Sequence, residues 1–216
     1  PVAGRSLSTV VAALLFLIQV LAGVLTVADF IGLSAALGIP LQWLPVTVVR
    51  GWHSQISILW ISVCWFAATI WVLPLICRPE PRGQLKWINA LFWMLLVTAL
   101  GGTLGIPLGI KGLLSEINTR WFGIQGWEFL QIGRFYQYLL FASFMAWAII
   151  VFRGVLPALK QKQTWSLPNW MVYSIAGIVF MFTASFVATP ETNFVIADFW
   201  RWCTVHMWVE AFLEVF

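Results

Sequence analysis

The segment Asp198-Phe-Trp-Arg-Trp-Cys-Thr-Val-His206-Met-Trp-Val-Glu210-Ala-Phe-Leu-Glu214-Val-Phe216 carries the densest chemistry in this sequence. His206, Glu210 and Glu214 recur at i, i+4 and i+8. At ~100° per residue an α-helix drifts by only ~40° over each such step, so the three share one stripe. An imidazole and a carboxylate one turn apart can hold one metal ion. A hard carboxylate beside a nitrogen donor favours iron over copper(I). Glu214, one turn further on, can relay protons. The competing reading is an ion-paired or hydrogen-bonded stripe facing a neighbouring helix, which three titratable groups in an apolar setting disfavour.

His53 is the other of only two histidines. It follows Arg50-Gly51-Trp52, one turn into an apolar run. It is either an interfacial histidine bonded to a carbonyl or an axial ligand to haem iron, a role that suits a neutral imidazole. A bis-histidine haem needs another imidazole, and no other histidine in this sequence is free to supply it. Glu128 and Arg134 lie in Gln125-Gly-Trp-Glu128-Phe-Leu-Gln-Ile-Gly-Arg134-Phe-Tyr-Gln137. They read as helix capping with an i, i+6 surface pair, or as a cap over haem propionates, where arginine or a bound cation neutralises carboxylates. His53 and His206 both fall in the outer halves of their segments, the equal depth that side-by-side electron transfer needs.

The elements that position these groups must be membrane helices. Of 216 residues, 61% are hydrophobic and 9% charged, against about 25% charged in a soluble domain. Lipid is therefore the solvent, and spanning backbone must pair within helices or a closed barrel. The apolar runs far exceed the ~10 residues of a barrel strand. The fold class expected is all-α, a polytopic transmembrane bundle with spans near 7–27, 52–75, 87–108, 132–155, 170–188 and 196–216, forming one transmembrane domain. Gly101-Gly102 in the third span allows close helix approach. The loop from about 109 to 131, with Lys111, Glu116, Arg120, Trp121 and Trp127, reads as an interfacial cap on the outer face.

Arg5, Arg78, Arg82, Lys86, Arg153, Lys160 and Lys162 fall in one set of loops. Arg50, Lys111, Arg120, Arg134 and Arg201 fall in the other, together with Glu116, Glu128, Glu191 and Asp198. The first set is assigned to the inside by its excess of unpaired positive charge. The net charge of +4 sits in these loops and reports topology rather than nucleic-acid binding. Cys64, Cys77 and Cys203 are isolated, so neither disulfide nor zinc is implied. The absence of an initiator Met and an apolar segment still running at Phe216 suggest a piece of a longer protein.

Arg50-Gly-Trp-His53-Ser-Gln, the Gln125–Gln137 stretch and Phe199-Trp-Arg-Trp-Cys-Thr-Val-His206-Met-Trp-Val-Glu210-Ala-Phe-Leu-Glu214-Val-Phe together resemble segments of the quinol-dependent nitric oxide reductases, members of the haem–copper oxidase superfamily. Order and spacing hold along nearly all of the chain. The resemblance implies a core of twelve or more helices in a bacterial cytoplasmic membrane. It implies that His53 is an axial ligand of the low-spin haem b, and that His206 is one of three histidines on a non-haem iron beside the high-spin haem b3. It makes Glu210 the carboxylate ligand of that iron and Glu214 its proton-handling neighbour. Glu128 matches a position that helps hold calcium near the haem propionates in the cytochrome-linked branch. The remaining histidine ligands would lie beyond Phe216.

One departure concerns quinol. Where the reductases carry a segment like Thr-Ala-His-Tyr-Tyr-Val-Glu, this chain reads Thr26-Val-Ala28-Asp29-Phe-Ile-Gly32. Ala28 and Gly32 replace the histidine and glutamate that contact quinol. That loss marks the subgroup proposed to be nitric oxide dismutases, which turn two NO into N2 and O2 without external electrons. The expected function is thus NO conversion at a dinuclear iron site, dismutase ahead of reductase. A non-catalytic haem-binding subunit and a transporter with an intramembrane His-Glu stripe are the readings from other classes. A transporter would show an internal repeat with broken helices, which this sequence lacks.

Overall fold

The computed structural model describes residues 2–38, 44–76, 80–125, 130–160, 165–189, 191–207 and 210. Helices dominate: α1 (Val2–Phe30), the single turn α2 (Leu33–Ala36), α3 (Val46–Ile76), α4 (Gln84–Ile110), the short α5 (Glu116–Phe122), α6 (Arg134–Leu159), α7 (Leu167–Phe182) and α8 (Phe194–Val205), with a 3-10 turn Thr183–Phe186 closing α7. Five of these stretches are long and apolar enough to cross a membrane: Val10–Ala28, Val46–Ile76, Gln84–Ile110, Arg134–Leu159 and Leu167–Phe186. The all-α polytopic bundle expected from composition is the architecture found.

Successive spans run in opposite directions, so the start of α3, the end of α4, the start of α6 and the end of α7 gather at one end of the bundle. α1 packs along α3, α4 along α6, and α7 along α6, with α3, α4 and α6 in mutual contact at the centre. The core is aromatic. Phe66 of α3 meets Phe144 edge-on at 4.9 Å and Trp147 at 4.8 Å, and Phe182 of α7 closes on Phe144 at 5.2 Å. Buried Trp147 satisfies its indole N–H on Thr69 Oγ1 at 2.6 Å, as a tryptophan inside an apolar core must. Outward positions such as Leu17, Leu21, Trp93 and Leu104 stay exposed, which lipid tolerates.

Side-chain amides and indoles tie the helices together. Trp52 donates to the Thr103 carbonyl at 2.8 Å, joining α3 to α4. Gln84 donates to the Ile150 carbonyl at 2.8 Å, joining α4 to α6. The Gly101-Gly102 pair lies where α4 meets the start of α6: a side chain at Gly101 would strike the Tyr136 ring and one at Gly102 the Ile132 side chain. The expected cap between 109 and 131 contains α5, started by Ser115, whose hydroxyl accepts from Asn118 N–H, and bracketed by Glu116 and Arg120 at the ends their charges favour. Those start and stop signals stand in the sequence. Their shortness hid them in a segment read as loop.

Candidate haem and metal site

α3 begins at Val46, so His53 sits seven residues into the helix, about two turns, not the one turn expected from the apolar run. Its Nδ1 lies 2.8 Å from the Gln19 carbonyl of α1. A carbonyl only accepts, so Nδ1 carries the proton and the Nε2 lone pair points away from this contact. No partner for Nε2 is seen among the described residues. The ring also lies on Gly23, one turn along α1, where an added Cβ would stand 2.9 Å from both Cε1 and Nδ1. Ser57 stands one turn after His53. Its hydroxyl is 3.0 Å from Gln19 Oε1 and 2.6 Å from the His53 carbonyl, and its one proton serves both. Gln19 is buried. Sequence reading passed over Gln19, Gly23 and Ser57. An amide inside an apolar run, followed four residues later by glycine, is the signal that marks them.

Glu128 lies outside the described residues. Its neighbours form a buried polar knot at the same end of the bundle as His53. Gln55 Oε1 accepts the Gln131 N–H at 2.9 Å, and Gln125 bonds both Gln131 and Ile132 carbonyls at 2.8 Å. Gln137 donates to the Leu130 carbonyl. Arg134, the first residue of α6, is only 6% exposed, so the surface-pair reading fails. Its guanidinium bonds Gln137 Oε1 at 2.9 Å, the Ser185 carbonyl at 3.3 Å and the Ala188 carbonyl at 3.0 Å. It therefore clamps the ends of α6 and α7. Gly105 and Gly133 let α5 approach this knot, since a Cβ at either would collide with the Phe122 or Trp121 carbonyl.

His206 and Glu210 come together with Nδ1 to Oε1 at 2.8 Å, both side chains more than half exposed. The regular α-helix expected through Glu214 does not continue. α8 ends at Val205, and His206, Met207 and Glu210 adopt π-helical geometry, a widened turn frequent at functional sites. The i, i+4 approach survives this change. Two cis ligands on one ion with bonds of ~2.1 Å stand roughly 3 Å apart, so the separation suits a shared cation as well as a hydrogen bond. Trp202 packs edge-on against His206 at 5.7 Å. Glu214 lies outside the described residues. Among those described, no group of three histidine, cysteine, aspartate or glutamate side chains converges on a metal position.

The family model for cytochrome c and quinol oxidase polypeptide I matches residues 6–216. The chain belongs to this family. No curated protein matches it. Family membership makes this oxidase-type polypeptide a multi-pass membrane oxidoreductase of the haem–copper oxidase superfamily, and haem the cofactor such polypeptides hold. It displaces the transporter reading. The donor set of this cytochrome c and quinol oxidase relative fits haem: His53 is locked as its Nδ1–H tautomer by a backbone carbonyl, the arrangement that orients a metal-binding imidazole and raises its basicity.

Proposed function

We propose that this polypeptide converts nitric oxide, and does so as a dismutase: 2 NO give N2 and O2, with nitrogen reduced and oxygen oxidised in equal measure and no external donor. The observation that carries this is the last turn of α1 and the turn that follows it. Ala28 is buried, and Gly32 has φ 71°. The positions that would bear a quinol-binding histidine and glutamate hold a methyl group and a residue in left-handed backbone. A glutamate there would be strained as well as absent. Quinol is therefore not the partner proposed; nitric oxide and the bilayer are.

His53 is the proposed axial ligand of haem b through Nε2. His206 and Glu210 are the proposed donors to a non-haem iron beside haem b3, with Glu214 handling protons next to them. The two histidines of this sequence account for one imidazole at each proposed site. When bound, the two irons supply adjacent sites at which two NO molecules are held close enough for N–N bond formation, so proximity is the main contribution. The chain's part is positional. α1 and α3 fix the His53 ring, and the widened end of α8 presents imidazole and carboxylate together. The knot around Arg134 fixes Leu130 and Gln131, tying Gln131 to α3 two residues from His53. Arg134 is proposed to neutralise haem propionates, and Glu128 to help hold a calcium ion that would do the same. A bacterial cytoplasmic membrane is the proposed location.

The second reading is a reductase, 2 NO + 2 e− + 2 H+ giving N2O and H2O, which the His206–Glu210 pair would serve equally well. The test is gas analysis of the purified holoenzyme supplied with NO. Oxygen and dinitrogen released in equal amounts without a donor support the dismutase. Nitrous oxide formed only with added quinol overturns it.

A further inference from the structure

We infer that Gly23, with Gln19 and Ser57, is a positioning device that sets the strength of the His53 imidazole as an iron ligand and so the potential of the haem it holds. This rests on the axial-ligand reading of His53. Gly23 gives the ring a surface without a side chain: with a Cβ in place, Cε1 and Nδ1 would both stand at 2.9 Å, closer than carbon and nitrogen tolerate. The ring would have to swing outward, since α1 packs on α3 along its length and cannot retreat locally. Swinging outward lengthens the 2.8 Å bond from Nδ1–H to the Gln19 carbonyl.

That bond gives the imidazole part of the character of an imidazolate, which favours ferric over ferrous iron. Weakening it raises the midpoint potential. Ser57 acts on the same contact between α1 and α3, through the Gln19 side chain rather than the backbone carbonyl that Nδ1–H reaches. Its hydroxyl holds the Gln19 side chain at 3.0 Å and the His53 carbonyl at 2.6 Å, so one residue pins donor helix and acceptor helix at the same turn. Gly23 thereby holds the ring's position, and Ser57 holds the register of α1, which carries the accepting carbonyl, against α3.

The experiment uses the assembled holoenzyme with His53→Ala, Gly23→Ala, Ser57→Ala, Ser57→Thr and Gln19→Leu, read by haem content, the low-spin haem optical and EPR signatures, and redox titration. Gly23→Ala is expected to keep its haem, shift the low-spin EPR signal and raise the reduced-to-oxidised ratio at fixed potential about tenfold, ~59 mV for a one-electron couple. Ser57→Ala and Gln19→Leu shift in the same direction by less, and Ser57→Thr restores the parental value. A parental signal and potential in Gly23→Ala overturn the inference. If Gly23→Ala does not accumulate, parental potentials in both Ser57→Ala and Gln19→Leu overturn it, and a rise in either supports it. His53→Ala separates this from the underlying reading: an unchanged low-spin signature there removes His53 as ligand, and the inference falls with it.

Discussion

Gln55 on α3 accepts the backbone N–H of Gln131 at 2.9 Å, two residues along the chain from His53. Both glutamines are buried. This bond fastens the connection between α5 and α6 to the helix that carries the proposed haem ligand. Gln55→Leu fills similar space but orphans a buried N–H, which costs about 1–3 kcal/mol. Thermal unfolding in detergent should show a lowered midpoint, with protease cutting first between α5 and α6. An unchanged midpoint would mean that the N–H finds another partner.

Arg134 answers three acceptors from inside the bundle. Arg134→Leu leaves two carbonyls and an amide oxygen without their donor, and roughly 3 kcal/mol of destabilisation is expected. Lysine should rescue little, because one ammonium cannot reproduce the planar fork. Comparing the thermal midpoints of both variants measures this directly.

Gly105 lies under α5, where an added Cβ would collide with the Phe122 carbonyl oxygen. The obstacle is backbone, so it cannot rotate aside. Gly105→Ala should cost about 1–3 kcal/mol and loosen α5, read as faster hydrogen exchange over 116–122. Full protection of α5 in the variant would contradict the packing described.

Glu191 lies in the connection between α7 and α8, fully exposed. The Thr189 hydroxyl, its own backbone N–H and, more weakly, Arg120 hold its carboxyl below the usual range. A carboxylate lowered on folding stabilises the fold above its unfolded pKa, and that stabilisation is lost as pH falls through the folded value. The loop should therefore loosen only in acid below the ordinary glutamate range. Thr189→Ala should move that loss to higher pH, and Glu191→Gln should abolish it. Limited proteolysis of the 187–193 loop against pH reports both.

His206 and Glu210, 2.8 Å apart, are expected to matter equally for non-haem iron. Alanine at either should lower the iron-to-haem ratio of the holoenzyme by about one iron while haem b spectra persist. Retention of that iron and of parental NO consumption in His206→Ala would remove the proposed centre.

Much of the fold could be read from the sequence because lipid leaves so few choices. The long apolar runs admit only helices, and α4 and α6 lie close to their expected ranges. Boundaries slipped where polar residues continue a helix past its apolar part, as at Val46-Thr-Val-Val-Arg50, which placed His53 a turn too shallow. The His206 and Glu210 spacing was legible, but the widening of the helix there was not, because hydropathy carries no signal for a π turn. Arg134 read either as part of a surface pair, because charge suggests water, or as a cap over haem propionates. Its burial depends on two carbonyls of a segment some fifty residues away, information that no local pattern contains.

The cross-helix bonds from Trp52 to Thr103, from Gln84 to Ile150 and from Trp147 to Thr69 fix something that apolar contact alone leaves loose. Greasy cylinders in a greasy solvent can slide past one another at little cost. A polar atom that finds its mate at only one height turns each cylinder into a keyed shaft. The bundle can thus enter the bilayer as separate rods and still arrive with α3, and His53 on it, at a set height against α4 and α6, before any cofactor is present to align them.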